Sequence, residues 1–415
     1  MKIIVANKYH YVDGGPERYM FNLSDYLKSL GHEVIPFSVA YPKNIPSEYD
    51  RYFLKPAGGG TNTKLDRLEG GIGTKLRIAA RSVYSFEAKK ALERLIVDTR
   101  PDLMYCLNIV NHLSPSIIDA GRRHGLPVVM RLSDYYLVCP NYLFLHDGQV
   151  CTECEHGYYH ALKHRCVYGS LAATACRVTG MYIHKLMGIY RKVGAFVTTT
   201  DFMRDTLIRA GFPPEKIHVI RTFVDTSKWI PHYDNDGYIL YLGRLAREKG
   251  IEFLLDAYVD ACVKDPLVIV GEGPEEYLKQ LIVRIPDAWR DKVKFLGYKS
   301  GDELKSIISG AKYVAVPSLW HDNAPNVVYE SFAAGKPVVA SSLGGLREQV
   351  TKDTGILVEP GNIPELSKAI IRLSGDADLV QSLGREARRQ VENEHRIEDH
   401  AACLLGLFSE LIGGK

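Results

Sequence analysis

Short apolar runs, each long enough for one buried strand, alternate with amphipathic stretches of helix length along nearly all of the 415 residues. That alternation constrains the fold more than any other feature, because a run buried on both faces and followed by a helical crossover belongs to a parallel sheet covered on each side by helices. Lys2–Ala6 predicts a first strand, followed by a helix near Glu17–Leu30 that Gly31 ends as its C′ glycine. His32–Ser38 predicts the next strand, then a helical stretch near Arg81–Asp98, then strands at Leu103–Leu107, Val128–Leu132 and Ala195–Thr199. The polar stretch Trp229–Gly237, with Pro231, Asp234, Asn235 and Asp236, interrupts the pattern. It restarts with strands at Tyr238–Leu242, Leu267–Val270, Val293–Phe295, Tyr313–Pro317 and Pro337–Ala340, and helices at Gly250–Val263, Glu275–Arg284, Gly301–Ser309 and Val327–Ala334. Glu365–Arg372 and Asp378–Glu394 read as closing helices. Two starts predict an α/β chain of two doubly wound, Rossmann-like domains, residues 1–230 and 231–395, facing each other across a cleft. The last helix, His400–Ile412 within 396–415, is expected to return to the first domain. Ligands of such sheets bind beyond the carboxyl ends of the strands, so the cleft is the expected site.

Composition narrows the partners. A hydrophobic content of 46% supports ordinary cores, and a net charge of only +3 gives no reason to expect nucleic acid. The longest apolar runs, such as Lys192–Thr200, fall short of the roughly 20 residues of a membrane-spanning helix. The N-terminus reads as a short strand rather than a signal peptide, so a cytoplasmic location is expected. Residues 57–75 are rich in glycine with interspersed basic residues, the pattern of a mobile loop or of a lid facing the acceptor or a membrane. Lys64, Arg67, Lys75, Arg77, Arg81, Lys89 and Lys90 form a basic run that is either a solvated face or a peripheral contact with a membrane surface.

Of the eight cysteines, Cys106, Cys176, Cys262 and Cys403 are scattered and read as small core residues. Cys139, Cys151, Cys154 and Cys166 are separated by eleven, two and eleven residues. Four thiols at such spacing suit a structural zinc in a reducing compartment, and disulfides or free thiols remain the alternatives. His156, His160 and His164 lie near enough in sequence to replace a thiol. The insert, about 139–166, is expected to shape the acceptor side of the cleft.

Three segments carry chemistry. Gly14-Gly15-Pro16-Glu17 follows the first strand; paired glycines let backbone approach a ligand at a helix N-terminus, but the three-glycine dinucleotide fingerprint is missing, which argues against a nicotinamide cofactor. Gly243-Arg244-Leu245-Ala246-Arg247-Glu248-Lys249-Gly250 follows the first strand of the second domain. There Arg244 offers a planar fork and Lys249 a point charge to a departing diphosphate. After Tyr313–Pro317 comes Ser318 to Glu330, with Asn323 expected as a helix N-cap, Pro325 in the first turn, and amides near Asn326–Val328 directed at an anion. Asp322 and Glu330 could line one pocket and accept paired hydrogen bonds from vicinal hydroxyls.

Taken in this order, with Val270-Gly271-Glu272-Gly273-Pro274 and the continuation Ser331 to Ala340, these segments resemble the retaining nucleotide-sugar glycosyltransferases of family 4, over nearly the whole chain. The resemblance implies the GT-B fold. It implies metal-independent transfer of a hexose-type sugar from a UDP or GDP sugar to a saccharide or lipid-linked saccharide, in cell-surface glycan synthesis at the inner face of the membrane. Arg244 and Lys249 would bind the diphosphate, Glu330 the ribose diol, and Asp322, the first acid of the acid–seven–acid motif, the sugar hydroxyls. Gly14, Gly15, Gly243, Glu272, Gly273, Asn326 and Val327 would line the donor site. Asp134 would either orient the acceptor or cap the next helix. The chain departs from the pattern in three places: Asp322 stands where Glu is usual, Ser133 where a histidine commonly meets the donor sugar, and Arg221-Thr222-Phe223-Val224-Asp225 where Pro-Asn-Gly-Val-Asp is commoner. Two rival readings remain: an epimerase or phosphorylase on the same frame, and a sugar-nucleotide-binding protein without activity.

Overall fold

The computed structural model describes residues 1–56 and 72–414. The first half contains β1 (Lys2–Ala6), β2 (Glu33–Phe37), β3 (Leu103–Cys106), β4 (Val128–Arg131), a small hairpin of β5 (Leu145–His146) and β6 (Gln149–Val150), then β7 (Ala195–Thr198) and β8 (Ile217–Val219). Apart from the hairpin these strands form one parallel sheet in the order β2-β1-β3-β4-β7-β8. The second half contains β9 (Tyr238–Leu242), β10 (Leu267–Val270), β11 (Val293–Phe295), β12 (Ala311–Val316), β13 (Val338–Ser341) and β14 (Gly355–Val358). These form a second parallel sheet in the order β11-β10-β9-β12-β13-β14.

Strand order reverses beside β1 in the first sheet and beside β9 in the second, so successive helices leave on opposite faces and a crevice opens at the carboxyl ends there. The glycine pair follows β1, the basic loop follows β9, and the acidic segment follows its neighbour β12. Topology alone therefore brings the segments after β9 and β12 side by side.

Central strands such as β3, β4 and β13 are buried along their whole length, which is why they read as unbroken apolar runs. β8 and β14 were not anticipated. Both are edge strands, fully buried at only one or two positions, and they carry no continuous apolar signal. The helical stretch Arg81–Asp98 is in fact two helices, Ile72–Val83 and Phe86–Thr99. Ser85 is extended between them, and its hydroxyl caps the second by accepting from the Ala88 amide at 3.0 Å.

Alternate residues of the first sheet face opposite layers. Ile4, Ile35, Met104, Val128 and Met130 pack with Leu92, Leu95, Ile117 and Ile118 on one side. Ile3, Val5, Tyr105 and Val129 pack on the other with Tyr19, Leu23 and Leu27 of the first helix, Gly15–Ser29, and with Leu404 and Phe408 of the last, Ile397–Gly413. The last helix thus lies beside the first helix on the first sheet, and Tyr19 Oη meets His400 Nε2 at 2.8 Å. No helix of the described residues is long and apolar enough to cross a membrane.

Phe408 is fully buried, with its ring 5.5 Å from that of Tyr105. Phe408→Ala is expected to cost about 3–5 kcal/mol, through lost burial and the cavity left behind. Chemical denaturation followed by circular dichroism measures it.

Candidate active site

The loops after β9 and β12 are stitched together. Leu319 N donates to Glu248 O at 2.8 Å, and a Cβ on Gly250, whose φ is +71°, would stand 1.8 Å from Pro317 O. Only glycine allows that approach. The contact places Lys249 Nζ 2.5 Å from Asp322 Oδ2, an acceptor shared with Ser318 Oγ at 3.0 Å. Asp322 is nearly buried, so loss of either partner leaves a charge uncompensated, at a cost of about 3–5 kcal/mol. The Glu272 loop packs on the same segment: Leu245 N donates to Glu272 O at 2.8 Å, Gly243 N to Val270 O at 3.0 Å, and a Cβ on Gly273 would lie 2.1 Å from Leu245 O. Arg244 is more exposed and pairs with Glu248 at 2.9 Å.

The other half of the site comes from the first domain. Arg18 Nη1 lies 2.8 Å from Glu330 Oε1, and Asn326 Nδ2 lies 3.4 Å from Gly15 O. A Cβ on Gly15 would stand 2.9 Å from that Asn326 nitrogen. The start of the first helix therefore sits directly on the start of the helix Asn326–Ala333, which bears Val327 and Glu330. Burial raises the Glu330 carboxyl above the usual carboxylate range, and Arg18 opposes that rise. Arg18 carried no signal in the sequence beyond its place after the glycine pair.

Asn323 does not cap the helix as expected; Pro325 occupies the N-cap position without a side-chain bond. Asn323 instead bridges the domains, its Oδ1 accepting from the Thr199 and Thr200 hydroxyls at 2.9 and 3.0 Å. Nearby, Glu348 accepts from the Asp201 and Phe202 amides at 2.9 and 2.7 Å, so a carboxylate of one domain caps the helix Asp201–Arg209 of the other. His321 stacks on Phe202, with ring centroids 4.5 Å apart, and meets the edge of Phe144. Burial first, then Arg347, lowers the His321 pKa to about 4, so the ring is neutral at pH 7. Sequence reasoning missed Glu348 and His321 because their partners lie more than a hundred residues away.

Ser133 and Asp134 lie just past β4, both half-buried. Ser133 Oγ accepts from Arg131 Nη1 at 2.8 Å, and Asp134 Oδ1 accepts from the Tyr136 amide at 3.1 Å, a local cap. Burial raises the Asp134 pKa; the Tyr136 amide, Lys8 and Arg177 oppose it.

The structure does not arrange Cys139, Cys151, Cys154 and Cys166 as a zinc set. All eight cysteines are free, so the disulfide alternative is not met either, and among the described residues no group of three or more His, Cys, Asp or Glu is placed to hold a metal ion. The Cys139 thiol turns to Asn141 Oδ1 at 2.8 Å. Burial, reinforced by the neighbouring thiols, pushes Cys154 up to about 12 and Cys166 to about 11, which keeps them protonated. The insert reaches the site through Phe144.

The basic run is not one face. Arg81 is largely buried, donating to Lys55 O at 2.8 Å and lying 3.7 Å from Glu87. Lys89 reaches the Tyr84 hydroxyl at 3.3 Å, and Arg77 and Lys90 are exposed. The glycine-rich stretch up to residue 71, with Lys64 and Arg67, and the side chain of Lys75 lie outside the described residues. A separate cavity of about 630 Å³ opens at the outer edge of the first sheet, between the first helix and residues 45–49, and no site residue lines it.

Residues 13–228 match the family model "Glycosyltransferase Family 4", and residues 236–376 match "Glycosyl transferases group 1". An uncharacterized glycosyltransferase of Methanocaldococcus jannaschii is 34% identical over 337 residues, 79% of this chain and 80% of that protein. The chain belongs to glycosyltransferase family 4. An O-antigen chain mannosyltransferase of Escherichia coli is 26% identical over 216 residues, 47% of this chain and 53% of that protein. The GT-B fold is shared with sucrose-phosphate synthase of Thermosynechococcus elongatus, at a TM-score of 0.72, 19% identity and full coverage of both chains. It is shared equally with Anabaena HepE in complex with UDP and glucose, at 0.68 and 17%, covering 99% of this chain and 100% of that one. The segments that carry Gly243 and Gly273 pack on one another, and Gly15 meets Asn326 across the cleft.

His321 remains unprotonated in the fold while a free histidine protonates near 6.5, so its contribution to stability is complete above about 6.5 and is lost as pH falls toward about 4. His321→Phe retains the stack on Phe202 but cannot titrate. We expect the unfolding temperature of this glycosyltransferase variant to fall less steeply between pH 6.5 and pH 4 than that of the wild type in thermal melts.

Proposed function

We propose that the protein transfers a hexose-type sugar from a nucleoside diphosphate sugar to a saccharide or lipid-linked saccharide acceptor, with retention of configuration and without a catalytic metal, in cell-surface glycan synthesis. The acceptor side is the domain of residues 1–230 with 396–415, and the donor side is the domain of residues 231–395. The observation that carries this reading is the set of three ion pairs around the cleft: Lys249–Asp322, Arg244–Glu248 and Arg18–Glu330. Each joins a cation suited to phosphate with an acid suited to a hydroxyl. The site is neutral as a set, and a donor carrying a diphosphate and two diols can take over both kinds of partner.

In this reading Glu330 accepts from the ribose diol and Asp322 from hydroxyls of the transferred sugar. Lys249 and Arg244 turn to the diphosphate, joined by the amides at Asn326–Val327. As the anomeric C–O bond to phosphate breaks, negative charge collects on the diphosphate, where these cations are fixed in advance. The acceptor oxygen bonds to the anomeric carbon on the same face, and its proton passes to a departing phosphate oxygen. Asp134 orients that acceptor hydroxyl. Names of relatives support a glycan acceptor: one acts as an O-antigen chain mannosyltransferase. HepE has been seen with UDP-glucose, which supports a UDP-type donor.

Calorimetric titration with UDP and GDP tests the donor assignment. Glu330→Gln and Lys249→Ala are each expected to weaken the preferred nucleotide at least about tenfold while the protein still unfolds cooperatively. Near-wild-type affinity in both variants refutes the reading. Because burial raises the Glu330 pKa, wild-type affinity should fall on the acid side at a pH above the ordinary glutamate value, as the carboxylate takes up a proton.

A further inference from the structure

The cysteine-rich insert opens with a tight turn over residues 139–144. Tyr142 N donates to Cys139 O at 2.9 Å, Leu143 N to Asn141 Oδ1 at 3.0 Å, and Asn141 Nδ2 to Leu145 O at 2.8 Å. Phe144, only 1% exposed, anchors the turn between the domains. Its ring lies 4.8 Å from that of Tyr135 in the first domain and 6.3 Å from that of His321 in the second. Two residues earlier, Tyr142 remains 45% exposed. Both residues have left-handed backbone, with φ of +59° at Tyr142 and +50° at Phe144. So has Tyr168, at +54°, two residues past Cys166 and 70% exposed. A bulky side chain is strained in that region. Burial of the ring offsets the strain at Phe144, whereas Tyr142 and Tyr168 gain far less from it. Strain held at exposed aromatic residues is a mark of binding sites.

The charged groups around Tyr142 come from both sides of the cleft. Burial raises its phenol pKa, Arg244 opposes that rise, and Tyr168, Asp134 and Glu248 add to it. Arg244 and Glu248 belong to the loop after β9, and Asp134 follows β4. The turn that Phe144 pins to both domains thus holds Tyr142 within electrostatic reach of a diphosphate cation and of the carboxylate that orients the acceptor hydroxyl. An acceptor whose oxygen attacks beside the departing phosphate occupies the space between those two groups. A pyranose presents a face made largely of C–H groups. That face packs on an aromatic ring while the hydroxyls at its rim keep their hydrogen bonds.

We infer that Tyr142, with Tyr168 beside it, is a binding residue for the acceptor, whose pyranose ring packs on the Tyr142 face, so that the cysteine-rich insert supplies one wall of the acceptor subsite. This rests on the sugar-transfer reading above. The ligand is a saccharide, and neither the nucleotide nor a lipid chain.

Saturation-transfer NMR on the full chain, with UDP or GDP present, tests it. The probes are methyl β-D-glucopyranoside, methyl β-D-galactopyranoside and methyl α-D-mannopyranoside. At least one glycoside should bind the wild type, with saturation strongest on the hydrogens of one ring face. Tyr142→Ala should weaken that glycoside about tenfold and leave nucleotide affinity, measured by calorimetry, within about twofold. Tyr142→Phe, which keeps the ring, should retain most of the affinity for both. Tyr159→Ala removes another exposed aromatic of the insert, one that lies against His160, and should change neither. Should Tyr142→Ala fail to fold by circular dichroism, Tyr168→Ala decides in its place, with an expected loss of about threefold for the glycoside alone. Undiminished glycoside binding in Tyr142→Ala, or an equal loss in Tyr159→Ala, overturns the inference and leaves the donor reading intact. So does a wild type that binds nucleotide but none of the three glycosides. A folded Tyr142→Ala that loses nucleotide and glycoside alike places the ring on the donor and overturns the inference too. A wild type that binds neither UDP nor GDP sinks the donor reading and this inference together.

Discussion

The bond between Lys249 and Asp322, at 2.5 Å, ties together the loops that follow two adjacent strands, β9 and β12. It depends on Gly250, which lets the backbone after Lys249 pass against the Pro317 carbonyl. Asp322 in turn fixes the next links: its carbonyl accepts from the Gly345 amide at 2.9 Å, His321 before it stacks on Phe202, and Asn323 after it bridges to two threonines of the first domain. One short segment therefore carries both the partner of Lys249 and a bridge to the first domain. A parallel sheet makes this possible because all its strands end on the same side.

Charge organises the rest. The expected phosphate cations are not waiting free in the cleft. Lys249 and Arg244 each pair with a nearby acid, and Arg18 pairs with Glu330, which the resemblance assigned to the ribose. These three ion pairs leave none of the six charges uncompensated. Arg131 is the exception: a buried cation with only hydroxyls and a ring around it.

Much of this was legible in the sequence, and each failure has its own physical cause. Ten strands are found within about two residues of where the apolar runs placed them, because strands buried on both faces must be apolar throughout. β8 and β14 are edge strands with a mixed burial pattern and no continuous apolar run, whereas the edge strands β2 and β11 still carried enough apolar residues to be found. The single helix expected at Arg81–Asp98 breaks at Ser85, whose capping role competes with a periodicity that runs through it. Asn323 has the composition of an N-cap but is recruited by Thr199 and Thr200 from the other domain. The four clustered cysteines had metal-like spacing, and the fold brings them near one another as free thiols, with Cys139 turned to Asn141.

Local order along the chain therefore determined the two sheets, the crossover helices, the family, and the loops in which the chemistry lies, since each follows from burial period and from glycines and charges close together in sequence. Tertiary structure alone decided which acid meets which cation, that Glu348 caps a helix of the opposite domain, that His321 is neutral, and that Arg131 joins Ser133 to Thr222. Hydrogen bonds and ion pairs act within a few ångströms, and their partners here stand up to 381 residues apart. Only the folded sheets bring such residues into reach.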